Sequence, residues 1–266
     1  VNVMVLQALR WLNIKVIISE RNNPYVDLNC KRERNERDKL YHLADGIVFQ
    51  TEDARDYFDK EIREKSTIII NPIDNSIPNP YNGIREKTIV SVARLDPQKN
   101  FRLLIDSFAE ISEKIKDYKL YIYGVGSQKD MLQDLISSYG LCDRIKLMGY
   151  CNNVLERIVK TSLFVLPSDY EGISNSLLEA LAIGLPVIST DHPIGGARML
   201  IKSGENGVLT PVGDKESMKN AILNVLTDNQ FALKISTNAV TVREKASIST
   251  ISHQWLDFVS FIIYNK

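Results

Sequence analysis

The stretch EGISNSLLEALAIGLPVIST, from Glu171 to Thr190, holds the residue types best suited to chemistry. Two carboxylates, Glu171 and Glu179, have seven residues between them, with Gly172 after the first and an apolar helical pattern around the second. The apolar run SLFVLPS at Ser162 to Ser168 precedes them and reads as a buried strand, and PVIST follows as another. A strand, a tight turn at Gly172 and a helix opening with the free N–H groups of Ile173 and Ser174 make a ready anion site. Leu177, Leu178, Ala180, Leu181 and Ile183 make that helix apolar around much of its circumference. Glu179, two turns in, is therefore expected to be partly buried and to need a partner. A phosphate between two carboxylates that accept from hydroxyls describes a nucleotide sugar.

Three further stretches carry chemical residue types. In SVARLDPQKN, Arg94 lies just past a predicted strand and Lys99 five residues on, with Pro97 fixing the turn. Such cations can close on a diphosphate, the Arg as a bidentate fork and the Lys as a point charge; the plain alternative is a pair of exposed loop cations. In YGVGS, Gly124 and Gly126 follow a strand and let a ligand approach the backbone. Gly-rich turns of this kind are common in doubly wound folds, and neither the third Gly of a dinucleotide site nor a P-loop Lys is present. In HPIGGARMLIKSGENGVL, two glycine turns flank a short helix, and His192 reads as structural or solvent-facing. No His, Cys, Asp or Glu cluster has metal-ligand spacing, so no metal and no cofactor are expected.

The elements that must position these groups alternate. Strands are predicted at Lys15 to Ser19, Gly46 to Gln50, Thr88 to Ala93, Lys119 to Tyr123, Arg144 to Met148, Ser162 to Leu166 and Pro186 to Thr190, with an apolar run at Ser66 to Ile70. A mostly buried helix is predicted over Val3 to Leu12 and a half-solvated one over Lys31 to Ala44; Thr51 is the expected cap of a helix through Phe58. Phe101, Leu104, Ile105 and Phe108 share a helical face, and beyond Gly207 the chain reads as helical, ending in an amphipathic helix with Trp255. Apolar strands alternating with helices mean a parallel sheet covered on both faces, with ligands at its carboxyl ends. NPIDNSIPNPYNG at Asn71 to Gly83 breaks helix and sheet alike. The expected organisation is a partial domain over 1–72, a linker over 73–86, a ligand-binding domain over 87–246 and a returning helix over 247–266.

Composition excludes other classes. The 33 basic and 33 acidic side chains cancel, so no overall field draws the chain to nucleic acid. Cys30, Cys142 and Cys151 suit a reducing compartment, and no apolar run approaches the roughly 18 residues of a membrane span. A cytoplasmic chain is expected. The sequence opens inside the apolar stretch VNVMVLQALRWLN without an initiator Met, as expected of a piece of a larger protein.

Together these stretches resemble glycosyltransferase family 4, retaining enzymes of the GT-B type with two Rossmann-like domains. The likeness is close from Thr88 to about Asp214, and SERNNP, ADGIVFQTEDA, LPSDYEG and GGARMLI are similar to bacterial transferases that build capsule, exopolysaccharide, lipopolysaccharide or lipid-linked glycans. The resemblance implies an α/β GT-B fold: a Rossmann-like carboxy-terminal domain plus the tail of a second, acceptor-side one. It implies a nucleotide-sugar donor, a UDP-sugar first, and a glycan or polyprenyl-linked acceptor. Arg94 and Lys99 would bind the diphosphate, Glu171 the sugar hydroxyls, and the backbone of Gly172, Ile173 and Ser174 the distal phosphate. Glu179 would accept from the ribose, while Met148, Gly149 and Tyr150 would flank the base. No metal would be needed, and the acceptor-side domain is where the chain would meet the inner face of a membrane. A GT-B sugar-nucleotide epimerase and a non-catalytic nucleotide-sugar-binding partner are the alternatives.

Overall fold

The chain builds two parallel sheets, one on either side of the Pro- and Asn-rich segment at residue 71. The computed structural model describes residues 1–26 and 30–264. The amino-terminal unit runs α1 (Asn2–Leu9), β1 (Ile17–Ser19), α2 (Lys31–Tyr41), β2 (Gly46–Phe49), α3 (Glu52–Asp56), α4 (Lys60–Glu64) and β3 (Ser66–Ile68). The carboxy-terminal unit begins with β4 (Glu86–Val92), a 3-10 turn (Pro97–Lys99), α5 (Phe101–Ile111), β5 (Lys119–Tyr123), α6 (Lys129–Ser138), β6 (Ile145–Gly149) and α7 (Val154–Ile158). It continues through β7 (Thr161–Leu166), α8 (Asn175–Ala182), β8 (Val187–Thr190), α9 (Gly196–Leu200), β9 (Val208–Thr210), α10 (Lys215–Thr227), α11 (Asn229–Ala239) and α12 (Val242–Lys245). The last helix, α13 (Ile248–Tyr264), leaves that unit and returns to the first sheet.

In the first sheet, ordered β1-β2-β3, the central strand β2 is buried along its whole length. A parallel sheet needs cover on both faces. One face packs on Tyr41, Phe58 and Ile62. On the other, Ile251, Phe258 and Ile262 of α13 meet Val48 and Ile69. Helix α3 is capped as expected, Thr51 Oγ1 accepting from the Ala54 N–H at 3.1 Å. A second short helix, α4, starts on its own cap at Asp59. Helix α1 corrects an expectation: it ends at Leu9 with only Leu6 buried, and Met4 within it and Trp11 and Leu12 beyond it stand exposed.

The second sheet has the order β6-β5-β4-β7-β8-β9, all parallel, with Ile89 opposite both Leu120 and Leu163. Numbered within this unit the order is 3-2-1-4-5-6, the doubly wound arrangement whose strand order reverses between β4 and β7. The fold class is thus the α/β one expected. Strand β9 was not expected. Its three residues, between Gly207 and Pro211, are too few to show a period, and pairing with β8 makes them a strand. The predicted helical face of α5 is buried on one side of the sheet with Met218 and Ile222, and Leu177, Leu178 and Leu181 of α8 cover the other.

The two units meet through the loop after β8. Ile194, in that loop, is buried in the amino-terminal core beside Leu6, Ile47 and Phe49. Its φ is 64°, a conformation costly for a β-branched residue by about 1–3 kcal/mol. Packing of its side chain across the seam holds it there. Next to it, a Cβ on Gly196 would stand 1.8 Å from the Gly172 carbonyl oxygen, and a Cβ on Gly172 would stand 2.3 Å from the Arg21 carbonyl oxygen. Arg198 donates to Asp191 at 2.8 Å and to Asp53 at 3.2 Å, tying the same loop to the start of α3. Backbone-to-backbone approach this close leaves no side chain that could yield. Gly196→Ala should therefore lower stability by about 1–3 kcal/mol through overpacking, read as the shift in urea unfolding midpoint; an unchanged midpoint would show that the loops after β7 and β8 yield to the added methyl group.

Candidate functional site

Groups from the loops after β4 and β7 come together where the strand order reverses. Pro97 starts the 3-10 turn, and Asn100, with φ 43°, ends it and caps α5 by accepting from the Leu103 N–H. The two loops are stitched together: Asp169 N–H donates to Gln98 O at 2.9 Å, and Asn100 Nδ2 to Asp169 Oδ1 at 2.7 Å. This folding of the turn buries Lys99, whose ammonium donates to Glu171 Oε1. Lys99 is 9% exposed and Glu171 8%. Ser168 Oγ donates to the same carboxylate oxygen at 2.8 Å, and Gln98 Nε2 lies 3.4 Å from the other. A buried pair of this kind holds only with such added hydrogen bonds, and loss of one partner typically costs about 3–5 kcal/mol.

Helix α8 begins beside this pair and is uncapped. Ser174, its N-cap residue, makes no cap hydrogen bond and instead meets Ser176 Oγ at 3.1 Å. The N–H groups of Ser174, Asn175, Ser176 and Leu177 find no acceptor among the described residues, and they point out of the positive end of the helix. The Ile173 N–H does not join them. It donates to Gln50 Oε1 at 3.2 Å, so the N–H expected for a ligand is held by the amino-terminal unit. Gln50 is 2% exposed and its Nε2 has no partner. Gly172 permits this approach, since a Cβ there would lie 2.7 Å from Gln50 Oε1.

The remaining expected residues divide. Glu179 is half-buried, and among the described residues no hydrogen bond or ion pair holds its carboxylate; burial first, then the charge of Asp74, raises its pKa. Arg94 is not with Lys99: its side chain is 72% exposed and pairs with Asp96 at 3.0 Å, because the turn directs Lys99 inward and leaves Arg94 outside. Gly124 and Gly126 have their Cβ directions filled by backbone, at 1.9 Å from Ala93 O and 2.5 Å from Leu95 O. Their absent side chains admit the loop after β4, which corrects the expectation of an open approach for ligand. Met148, Gly149 and Tyr150 lie at the carboxyl end of edge strand β6, with both larger side chains exposed, and Gly149 O accepts from the Gly124 N–H at 2.8 Å. His192 is fully buried, not solvent-facing; burial lowers its pKa, and its Nε2 has no partner.

Gln98 and Ser168 were missed although each is near a residue singled out; a polar side chain one or three positions from a buried charge is a usable signal. Gln50 gave none, being 123 residues from its partner. Among the described residues no three His, Cys, Asp or Glu side chains form a metal group. A cavity of about 770 Å³ lies at the opposite, amino ends of β4, β7 and β8, lined by Ile84, Lys87, Ser162 and Pro186, away from the Lys99–Glu171 pair.

Known proteins are similar to this chain in sequence and fold. A glycosyltransferase of Methanocaldococcus jannaschii is 31% identical over 288 residues, covering 91% of this chain and 71% of that protein. An N-acetylgalactosamine-N,N'-diacetylbacillosaminyl-diphospho-undecaprenol 4-alpha-N-acetylgalactosaminyltransferase of Campylobacter jejuni is 37% identical over 164 residues, 62% of this chain and 44% of that protein. The crystal structure of Staphylococcus aureus TarM in complex with fondaparinux, alpha-GlcNAc-glycerol and UDP superposes with a TM-score of 0.80 at 25% identity, over 93% of this chain and 51% of that one. The chain thus spans about half the length of the last two. The family model for glycosyl transferases group 1 matches residues 79–242, and the chain belongs to that family.

Proposed function

We propose that the chain provides the donor-binding side of a retaining, metal-independent glycosyltransferase of family 4, using a UDP-sugar and a glycan or polyprenyl-linked acceptor. The observation that carries this reading is the buried Lys99–Glu171 pair beside the uncapped start of α8, at the strand-order reversal. The UDP in the TarM complex and the lipid-linked acceptor in the Campylobacter enzyme's name support the choice of substrates.

The diphosphate seats on the free N–H groups of Ser174 to Leu177, with Lys99 turning from Glu171 to a phosphate oxygen and Arg94 closing from outside. Glu171, released, accepts from sugar hydroxyls. Glu179 accepts from the ribose, and Met148, Gly149 and Tyr150 flank the base. The bond from the anomeric carbon to the diphosphate breaks through an oxocarbenium-like state. The acceptor oxygen bonds to the same face, and its proton passes to the leaving phosphate oxygen. Lys99, Arg94 and the helix end stabilise the charge on that diphosphate without a metal. The acceptor is held by the amino-terminal unit, which is also the part that meets a membrane surface. No helix among the described residues is long and apolar enough to cross one.

Lys99→Ala should weaken UDP binding by about 1.5–3 kcal/mol, by calorimetry, and EDTA should change neither binding nor transfer; a magnesium or manganese requirement would refute the metal-free reading. Glu171→Gln should abolish transfer of radiolabelled sugar in the full-length enzyme, while the buried Lys99 left with a neutral partner lowers the melting temperature. Wild-type turnover in that variant would remove Glu171 from the sugar.

Glu179 gives a pH test. Its pKa is raised by folding, so its contribution favours the fold below the unfolded carboxylate range and is lost as pH rises through the higher folded value. Glu179→Gln should therefore stabilise the ligand-free chain at pH 7, with the gain disappearing near pH 4, and should weaken UDP binding. A stability gain independent of pH would contradict the assignment.

A further inference from the structure

Among the described residues, Arg21 is a cation at this site that no carboxylate holds. It stands just past the carboxyl end of β1, and its carbonyl oxygen packs against Gly172. Its Nη1 donates to two neutral acceptors, Asn71 Oδ1 at 2.8 Å and Ile69 O at 3.3 Å, and its guanidinium lies 6.0 Å from the centroid of the Trp255 ring. Asn71 Nδ2 in turn donates to Asn175 Oδ1 at 2.6 Å, so a single side chain separates Arg21 from the first residue of α8. Among the described residues the Nε and Nη2 edge has no hydrogen-bond partner, and neither atom is among the buried unpaired ones. The neighbouring cations are committed: Lys99 to Glu171, Arg94 to Asp96, and Arg198 to Asp53 and Asp191. Burial without a counter-charge lowers the pKa of Arg21. A half-buried guanidinium with a free fork, next to four unbonded N–H groups, lacks an anion.

We propose that Arg21 binds the donor diphosphate through its free Nε–Nη2 edge, adding a ligand contact from the amino-terminal unit to a phosphate site built by the carboxy-terminal one. The inference rests on the nucleotide-sugar reading above. It makes donor binding depend on the seam, because the phosphate then bridges α8 and β1. Lys99 must leave a carboxylate to reach the same phosphate, whereas Arg21 has no partner charge to leave.

The test is calorimetric titration of the wild type, R21Q, R21K and Asn71→Ala with UDP, GDP and ADP, each beside its own nucleoside. R21Q keeps the stem over Trp255 but ends two bonds short of Nη1, so it removes the charge together with the bonds to Asn71 and Ile69, and Asn71→Ala reads the loss of the Asn71 bond by itself. It should lose about ten- to a hundredfold in affinity for the preferred diphosphate, with nucleoside affinity unchanged and a shallower salt dependence. R21K should recover part of that loss, and Asn71→Ala, which cuts the link to α8 and keeps the charge, should stay within about threefold of wild type. Diphosphate affinity within twofold of wild type in R21Q overturns the proposal. So does a parallel loss of nucleoside affinity, or an equal loss in Asn71→Ala, since either makes Arg21 a seam residue only. A wild type that binds none of the three diphosphates overturns the nucleotide-sugar reading and this inference with it.

Discussion

The buried contact between Lys99 and Glu171 is the interaction around which the carboxy-terminal unit is arranged. Two charges removed from water require close geometry and extra hydrogen bonds. Those requirements explain the surroundings: Pro97 setting the turn, Asn100 in a left-handed conformation ending it, and Ser168 and Gln98 directed at the carboxylate. The pair sits between β4 and β7, the one place in a doubly wound sheet where consecutive loops diverge and leave a crevice. A polar group there can be buried in the free protein and still lie beside the mouth where a ligand enters.

The seam between the units obeys a second constraint, that backbone meets backbone. Arg21 O meets Gly172 across the seam, and Gly196 meets the Gly172 carbonyl beside it, each so closely that a single methyl group would collide. Ile194 keeps an unfavourable φ because its side chain completes the amino-terminal core. The amino-terminal end of α8 is consequently shaped by residues from both units: Gln50 takes the Ile173 N–H, and Asn71 meets Asn175. Movement of one unit against the other must alter that helix end, which couples the position of the amino-terminal unit to the unbonded N–H groups of α8.

Much of the site was legible because it is local. Glu171, Gly172, Ser174 and Glu179 fall in one strand–turn–helix, where the apolar pattern of Leu177, Leu178 and Leu181 sets which side of α8 is buried and therefore how far Glu179 is from water. Lys99 was legible as a cation beyond a strand, yet its separation from Arg94 was not. Five residues of turn can send two side chains to the same side or to opposite sides, and only the packing of the 3-10 turn against Asp169 decides between them. The glycines after β5 were read for the wrong neighbour, since a missing side chain signals close approach without saying what approaches.

By itself the sequence determined the alternation of apolar strands and amphipathic helices, the parallel sheets that follow from it, and the placement of charged residues at carboxyl strand ends. These depend on periodicity and turn chemistry within a few residues. Tertiary structure alone decided which charges are partnered. His192 became a fully buried imidazole, Glu179 remained without a partner, Lys99 found Glu171, and Gln50 reached Ile173 across 123 positions. It also made a strand of Val208–Thr210 by pairing with β8. Burial and pairing depend on what packs against a residue from distant parts of the chain, and no local pattern contains that information.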